Sequence, residues 1–157
     1  MRIVGVDPGV NGAIAMYDGE TLSVDPFPKL KAKARGYEIN WPELCDLLDI
    51  KYGGVDHAFI EQVGAMPGQG VSSMFKFGYA AGGIRGALQQ AGATVHLVTP
   101  TKWKAKVGLT RDKDYSRTKA IELFPANHAD FKLKKDADKA EAALIAWYGY
   151  NELGGIS

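Results

Sequence analysis

The chain has 157 residues, a formal net charge of +1, 46% hydrophobic residues and 24% charged residues, values that are ordinary for a globular protein. No apolar run approaches the ~20 residues that span a bilayer, and Asp7 interrupts the apolar start that a signal peptide would need, so we expect no membrane partner. The single cysteine, Cys45, excludes an intrachain disulfide and fits a reducing cytoplasm. We therefore expect one domain over residues 1–157 with one sizeable core.

Hydrophobic runs bounded by turn residues predict five strands, at residues 2–7, 12–18, 20–25, 57–61 and 94–98. Asn11-Gly12 and Asp18-Gly19 are tight-turn pairs, which make the first three strands antiparallel neighbours. The later strands alternate with helical segments, as is typical of βα units. The sequence therefore predicts an α/β fold with a mixed five-stranded sheet and helices on both faces.

Helices are predicted at residues 41–50, 71–91, 100–107, 114–124 and 136–151. Asn40 and Thr99 are candidate N-caps, because a proline lies in the first turn that follows each of them. Asp114 is the candidate N-cap of the fourth helix. The prolines, glycine and basic residues of residues 26–40 predict a loop.

Asp7 follows four apolar or small residues, Ile3 to Val6, and is followed at once by Pro8-Gly9. A carboxylate at the end of a buried strand is costly unless it has a partner, and a metal ion is one such partner. The alternative is a turn aspartate that hydrogen-bonds the next backbone N–H groups.

Three further acids lie at positions from which they could form one site with Asp7. Glu61 ends the fourth predicted strand, while Asp138 and Glu141 are three residues apart and therefore on one face of the last helix. In isolation, that helix pair is explained by the favourable position of acids near a helix N-terminus. If the first and fourth strands are neighbours, however, Asp7 and Glu61 meet at the sheet edge where open α/β sheets bind ligands.

Four converging carboxylates repel one another, and some of them must take up protons unless cations are bound. Oxygen ligands favour Mg²⁺, with Mn²⁺ as a substitute, over zinc. Two such ions side by side can hydrolyse a phosphodiester. The sequence thus predicts a metal-dependent hydrolase acting on nucleic acid.

Five segments carry a resemblance to a known family: GVDPGVNGAIA (5–15), FIEQV (59–63), VSSMFKFGYAAGGIRGAL (71–88), VTPTKWKAKVGL (98–109) and DADKAEAALIA (136–146). With these segments in this order, the chain resembles the RuvC-type Holliday-junction resolvases of the RNase H-like nuclease superfamily. It is similar to the versions carried by bacteriophages. The resemblance implies a homodimeric endonuclease of DNA recombination and repair that nicks a four-way junction symmetrically. It implies a cytoplasmic location, in a bacterial cell or a phage-infected host.

The resemblance also implies four catalytic, metal-binding acids with two ions per active site: Asp7, Glu61, Asp138 and Glu141. The chain departs from the cellular enzymes at two positions. Glu141 stands where they usually carry Asp, and Gly64 stands where they carry a Phe near the junction centre. Met66 is the nearest large apolar residue and is a candidate wedge between base steps. Two alternatives therefore stay open, a broader nuclease of flaps or forks and a junction-binding protein that does not cleave.

Basic residues are concentrated in residues 102–139, which hold eleven of the nineteen against six acids. Such a run is either a solvated face or a surface that tracks phosphates. Trp103, within it, is interpreted as a packing anchor. We expect contacts to branched DNA from the following residues: Met66, Gln69, Lys76, Lys102, Lys104, Lys106, Arg111, Lys113 and Lys119.

Glycine recurs every fourth residue in the predicted helix 71–91, at Gly78, Gly82 and Gly86. Each glycine costs about 1 kcal/mol relative to alanine in a helix interior, so the stripe indicates a close backbone approach. The partner is either the sheet of the same chain or a second subunit. The family resemblance favours a homodimer through this helix.

Overall fold

The computed structural model describes residues 1–109 and 112–154, except for the side chain of Lys113. Its strands are β1 (Ile3–Asp7), β2 (Ala13–Tyr17), β3 (Leu22–Pro26), β4 (Lys29–Lys31), β5 (Tyr37–Ile39), β6 (His57–Glu61) and β7 (Thr94–Val98). Its α-helices are α1 (Trp41–Asp46), α2 (Val71–Gln90), α3 (Pro100–Val107), α4 (Lys113–Leu123), α5 (His128–Phe131) and α6 (Ala137–Glu152).

Five strands form one sheet in the order β3-β2-β1-β6-β7. The first three are antiparallel neighbours, whereas β6 pairs in parallel with β1 and β7 pairs in parallel with β6. Helices cover both faces, because α3, α4 and α6 pack on one side while α1 and α2 pack on the other. The predicted mixed α/β fold is therefore confirmed, and the sheet places the ends of β1 and β6 side by side.

Strand β1 and helix α6 pack with their backbones in close contact. A side chain at Gly5 would overlap the backbone of Ala142 and Ala146, so only glycine allows this approach. The apolar face of α6, which includes Leu144 and Ile145, is completely buried. Helix α6 is thereby fixed over the centre of the sheet, with its first turns near the end of β1.

Residues 26–40 are not the predicted loop, since they contain a second, two-stranded sheet. Strands β4 and β5 pair antiparallel, and the Ala32 amide donates to the Gly36 carbonyl across the turn at 3.0 Å. Gly36 takes a φ of +81°, which suits the turn. The prolines do not interrupt this hairpin, because Pro26 ends β3 and Pro28 precedes β4.

Two helix boundaries also differ from the prediction. The first helix is α-helical only to Asp46 and widens to a π-helix over Leu47–Lys51. The N-cap of α4 is Asp112, whose carboxylate accepts from the Asp114 amide at 2.9 Å, so Asp114 lies inside the helix. The caps predicted at Asn40 and Thr99 are confirmed, since both side chains accept from the backbone amide three residues on.

Helix α2 buries Ala80, Ile84 and Leu88 against the sheet. The glycines at 78, 82 and 86 face the other way, and a side chain at any of them would meet nothing within 4 Å. The stripe therefore does not pack on the sheet of its own chain. None of the helices within residues 1–109 and 112–154 combines the length and apolar character needed to cross a membrane.

Candidate active site

The four predicted acids come together at one edge of the sheet. Asp7 and Glu61 are the last residues of β1 and β6, and the register pairs Val6 with Ile60 immediately before them. Asp138 and Glu141 lie in the first turns of α6. Asp7 shares a hydrogen bond with Asp138 and experiences the charges of Glu141 and Glu61. The convergence that was conditional on strand order is thus present in the fold.

Asp7 is the residue that the crowding affects most. Burial raises the pKa of Asp7 from its ordinary value of 3.8 to about 9, with further contributions from the charges of Asp138 and Glu141 and from the hydrogen bond to Asp138. Two carboxyl groups can share a hydrogen bond only when one of them carries a proton. Without a cation, the Asp7 carboxyl is therefore neutral near pH 7.

Glu61 is held by a residue of α3. The indole Nε1 of Trp103 donates a hydrogen bond of 2.7 Å to Glu61 Oε2, and the Trp103 side chain is fully buried. The packing role predicted for Trp103 is correct but incomplete, since the residue also contacts one of the four acids. The signal in the sequence was the Thr99 cap, which sets Trp103 one turn beyond the strand that pairs with β6.

Glu141 is only 3% exposed, and two side chains of the described residues contact its carboxylate. Lys104 Nζ lies 3.3 Å from Glu141 Oε1, and the buried Ser116 hydroxyl donates to the same oxygen at 3.4 Å. Lys104 also lies over the Trp103 ring, 5.3 Å from its centroid. Lys104, which was predicted to contact DNA, has a side chain that is 27% exposed and lies beside the acid cluster. Sequence reasoning missed Ser116, because an isolated serine on a helix carries no signal.

The donor set fits a hard divalent cation such as Mg²⁺ or Mn²⁺. All four side chains offer carboxylate oxygens, and burial together with the charges of Asp138 and Glu141 raises the pKa of Asp7, a cost that a bound cation would relieve. In the arrangement present, no group of three or more His, Cys, Asp or Glu side chains among the described residues is spaced as a ready set of metal ligands. Trp103 and Lys104 contact Glu61 and Glu141 from α3.

Apart from Lys104, the residues predicted to bind DNA fall into three groups. Four are exposed at the surface: Met66, Gln69, Lys76 and Lys102. Two others form ion pairs within the chain, Lys106 with Glu152 at 3.6 Å and Lys119 with Glu122 at 3.3 Å. Arg111 and the side chain of Lys113 lie outside the described residues.

The strand order, the two helical layers and the acids at the shared ends of β1 and β6 define an α/β fold of the RNase H-like class. More narrowly, the chain has the fold of RuvC. It is similar to T. thermophilus RuvC in complex with Holliday junction substrate, at a TM-score of 0.65 and 14% identity, over 98% of this chain and 96% of the other. It is also similar to a second Thermus thermophilus RuvC structure, at a TM-score of 0.59 and 15% identity, over 98% and 97% of the two chains. No family model and no curated protein matches the sequence.

Proposed function

We propose that this chain is a metal-dependent endonuclease that resolves Holliday junctions by symmetric phosphodiester hydrolysis. The observation that carries the proposal is the meeting of Asp7 with Glu61, Asp138 and Glu141 at one edge of a RuvC-type sheet. The solved relative in complex with a Holliday junction substrate supports the choice of branched DNA. In this proposal residues 1–157 form a single nuclease domain, and it acts on DNA in the cytoplasm of a bacterial cell or a phage-infected host.

The four acids are the proposed catalytic and metal-binding residues, with two Mg²⁺ ions per site or Mn²⁺ in their place. When bound, divalent cations supply Lewis acidity and an activated water for attack on a phosphodiester. Asp7 is the central ligand, because it interacts with all three other acids. Trp103 and Lys104 hold Glu61 and Glu141 from α3, and the buried Ser116 limits the freedom of Glu141.

The surface around this edge is proposed to bind the DNA arms. Lys102 on α3 and Lys76 on α2 are exposed, and neither forms an ion pair among the described residues. Such lysines contact phosphates and position DNA without reading its sequence. Gln69 and Met66 extend from the exposed loop between β6 and α2, where Met66 is 63% exposed and takes the proposed wedge role.

The proposed homodimer is formed through α2. Val71, Phe75 and Tyr79 are 88%, 74% and 67% exposed, and they share the outer face of α2 with Gly78, Gly82 and Gly86. Apolar side chains exposed beside a smooth glycine stripe suit the close approach of a second copy. Two copies would bring two acid clusters to one junction, as symmetric cleavage requires.

A broader activity on flaps or forks is a second candidate, and the loop between β6 and α2 favours it. Gly64 provides no side chain to stack at a junction centre, and Met66 is the nearest large apolar residue for branch recognition. The test is a cleavage assay on a four-way junction, a flap, a fork and a linear duplex of matched sequence, each with Mg²⁺. Paired symmetric nicks in the junction alone support a resolvase, and comparable cutting of flaps or forks supports the second candidate. Binding without cutting by wild type and Asp7→Asn alike would indicate a junction-binding protein.

A further inference from the structure

Trp103 is the largest side chain that the described fold buries completely, and its one polar atom is directed at an acid of the candidate site. A buried indole N–H needs an acceptor, so burial alone accounts for some hydrogen bond. It does not account for the choice of acceptor. Glu61 is half-buried at the sheet edge, and it interacts with Asp7 across the ends of β1 and β6.

The backbone fixes this contact from both sides. Val98, the last residue of β7, pairs with Glu61, and the Gln62 amide donates to the Val98 carbonyl at 2.7 Å. Thr99 then caps α3 directly, so Trp103 lies one turn further along, beside the end of β6. Both residues are therefore anchored to the same pair of strand ends, and the 2.7 Å bond joins two rigid elements.

The chemistry of the donor also matters. A carboxylate has about four acceptor positions, so one indole N–H restricts its rotation and still leaves it able to bind a cation. A lysine at the same place would bring a positive charge that competes with a metal ion. The indole orients Glu61 without adding charge, as the neutral donors around metal-binding carboxylates do.

We propose that Trp103 is a positioning residue of the metal site, which sets the orientation of Glu61 through its Nε1–H. This inference rests on the proposed function, because it takes Glu61 to be a metal ligand. Trp103 contacts neither metal nor DNA in this account, and it acts only through the carboxylate. The loss of such a partner typically weakens metal affinity by about 10- to 100-fold.

The experiment compares Trp103→Phe, which keeps an aromatic ring and removes the donor, with Trp147→Phe. Trp147 is a partly buried residue of α6, six positions beyond Glu141, and it lines a groove with Met1 and Arg2. Mn²⁺ affinity is measured without DNA by calorimetry or electron paramagnetic resonance. We expect Mn²⁺ to bind Trp103→Phe at least about 10-fold more weakly and to bind Trp147→Phe as it binds the wild type.

Three further measurements separate positioning from packing. Junction affinity in Ca²⁺ should be unchanged in Trp103→Phe, and its slow single-turnover cleavage should recover as Mn²⁺ is raised. The effects of Trp103→Phe and Glu61→Gln on Mn²⁺ affinity should be strongly non-additive, because both act on one carboxylate. If Trp103→Phe fails to fold, benzothienylalanine at position 103 keeps the shape of the ring and replaces the N–H by sulfur, and the same loss of Mn²⁺ affinity is expected.

The inference is overturned if Mn²⁺ affinity in the folded Trp103 variant equals that of Trp147→Phe, or if the two single effects simply add. That result would leave the proposed function standing when wild type still binds Mn²⁺ and cuts the junction. A wild-type protein that binds no Mn²⁺ and cuts no branched DNA would instead refute the proposed function, and the positioning role with it.

Discussion

Lys104 Nζ lies 3.3 Å from Glu141 Oε1, which joins a lysine of α3 to an acid of the four-carboxylate cluster. In the absence of metal this ammonium group is a positive charge beside a carboxylate that is almost fully buried. Removing it leaves Glu141 with the Ser116 hydroxyl and with three acids nearby. The pair therefore predicts a stability effect that depends on metal.

Lys104→Ala should destabilise the protein in chelator by about 1.5–3 kcal/mol, the range for hydrogen bonds to charged groups. In saturating Mg²⁺ the loss should shrink, because the cations compensate the charge of Glu141. Thermal melts with and without Mg²⁺ measure both values. Lys102→Ala, from the exposed side of the same helix, is the control and should change neither value. An equal loss in both conditions would show that Lys104 does not share its role with metal.

Asp7→Asn should abolish cleavage and keep junction binding intact or stronger, because it removes a metal ligand and a negative charge. It should also stabilise the chelated protein. Folding buries Asp7 and raises the pKa of its carboxyl group from the ordinary value of 3.8 to about 9, so the contribution of this group to stability declines as the pH rises between these values. The excess stability of Asp7→Asn in chelator should therefore grow over the same interval. A variant that cuts at the wild-type rate would remove Asp7 from the active site.

Cleavage should require Mg²⁺ or Mn²⁺, whereas Ca²⁺ should support junction binding with little cutting. Calcium takes more ligands at longer and looser distances, which suits a tightly packed carboxylate site poorly. The measurement is single-turnover cleavage in each metal, paired with binding under the same conditions. Full activity in excess chelator would contradict the metal site.

Lys76→Ala combined with Lys102→Ala should weaken junction binding and reduce its dependence on salt. Each phosphate contact contributes about 0.9 to the slope of log affinity against log salt, so the slope should flatten by up to ~2. Cleavage at saturating protein should change far less than in Asp7→Asn. Lys51→Ala is the control, since Lys51 pairs with Asp25 on the opposite edge strand, β3. An unchanged slope in the double variant would mean that both lysines face solvent in the complex.

Gly82→Arg should convert the proposed dimer into a folded monomer. A side chain at Gly82 meets nothing within 4 Å in its own chain, and replacing a helical glycine should even stabilise the helix by roughly 0.5–1 kcal/mol. Light scattering gives the mass, and a thermal melt confirms the fold. Ala129→Arg, at an exposed position of α5, is the matched control. A Gly82→Arg protein with the wild-type mass would move the dimer contact away from this face.

The sequence predicts those parts of the fold that local rules govern. The strands His57–Glu61 and Thr94–Val98 and the helix Pro100–Val107 have the predicted limits, because turn residues and an N-cap mark their ends. The hairpin of β4 and β5 was missed because the prolines of this segment were interpreted as strand breakers. They lie outside the paired positions of the hairpin, and the sequence alone does not show that.

For the candidate site, the sequence placed Asp7 and Glu61 at strand ends and Asp138 and Glu141 on one helix face, and it left their meeting conditional on the strand order. It did not indicate the partners of those acids. Whether Lys104 points to Glu141 or to solvent depends on how far α3 rotates over α6, and no spacing within PTKWKAKV encodes that angle. The bond between Trp103 and Glu61 likewise joins residues 42 positions apart.

The absence of a side chain at Gly5 limits the substitutions that the protein can accept without disturbing the four acids. Because Ala142 and Ala146 press directly on β1 there, the separation between strand and helix is set two residues away from Asp7, at a position with no functional group of its own. Even a methyl group at Gly5 would lift α6 and carry Asp138 and Glu141 away together. The backbone contact at Gly5 thus sets the spacing of the acids. A substitution that leaves every carboxylate in place can therefore still separate them.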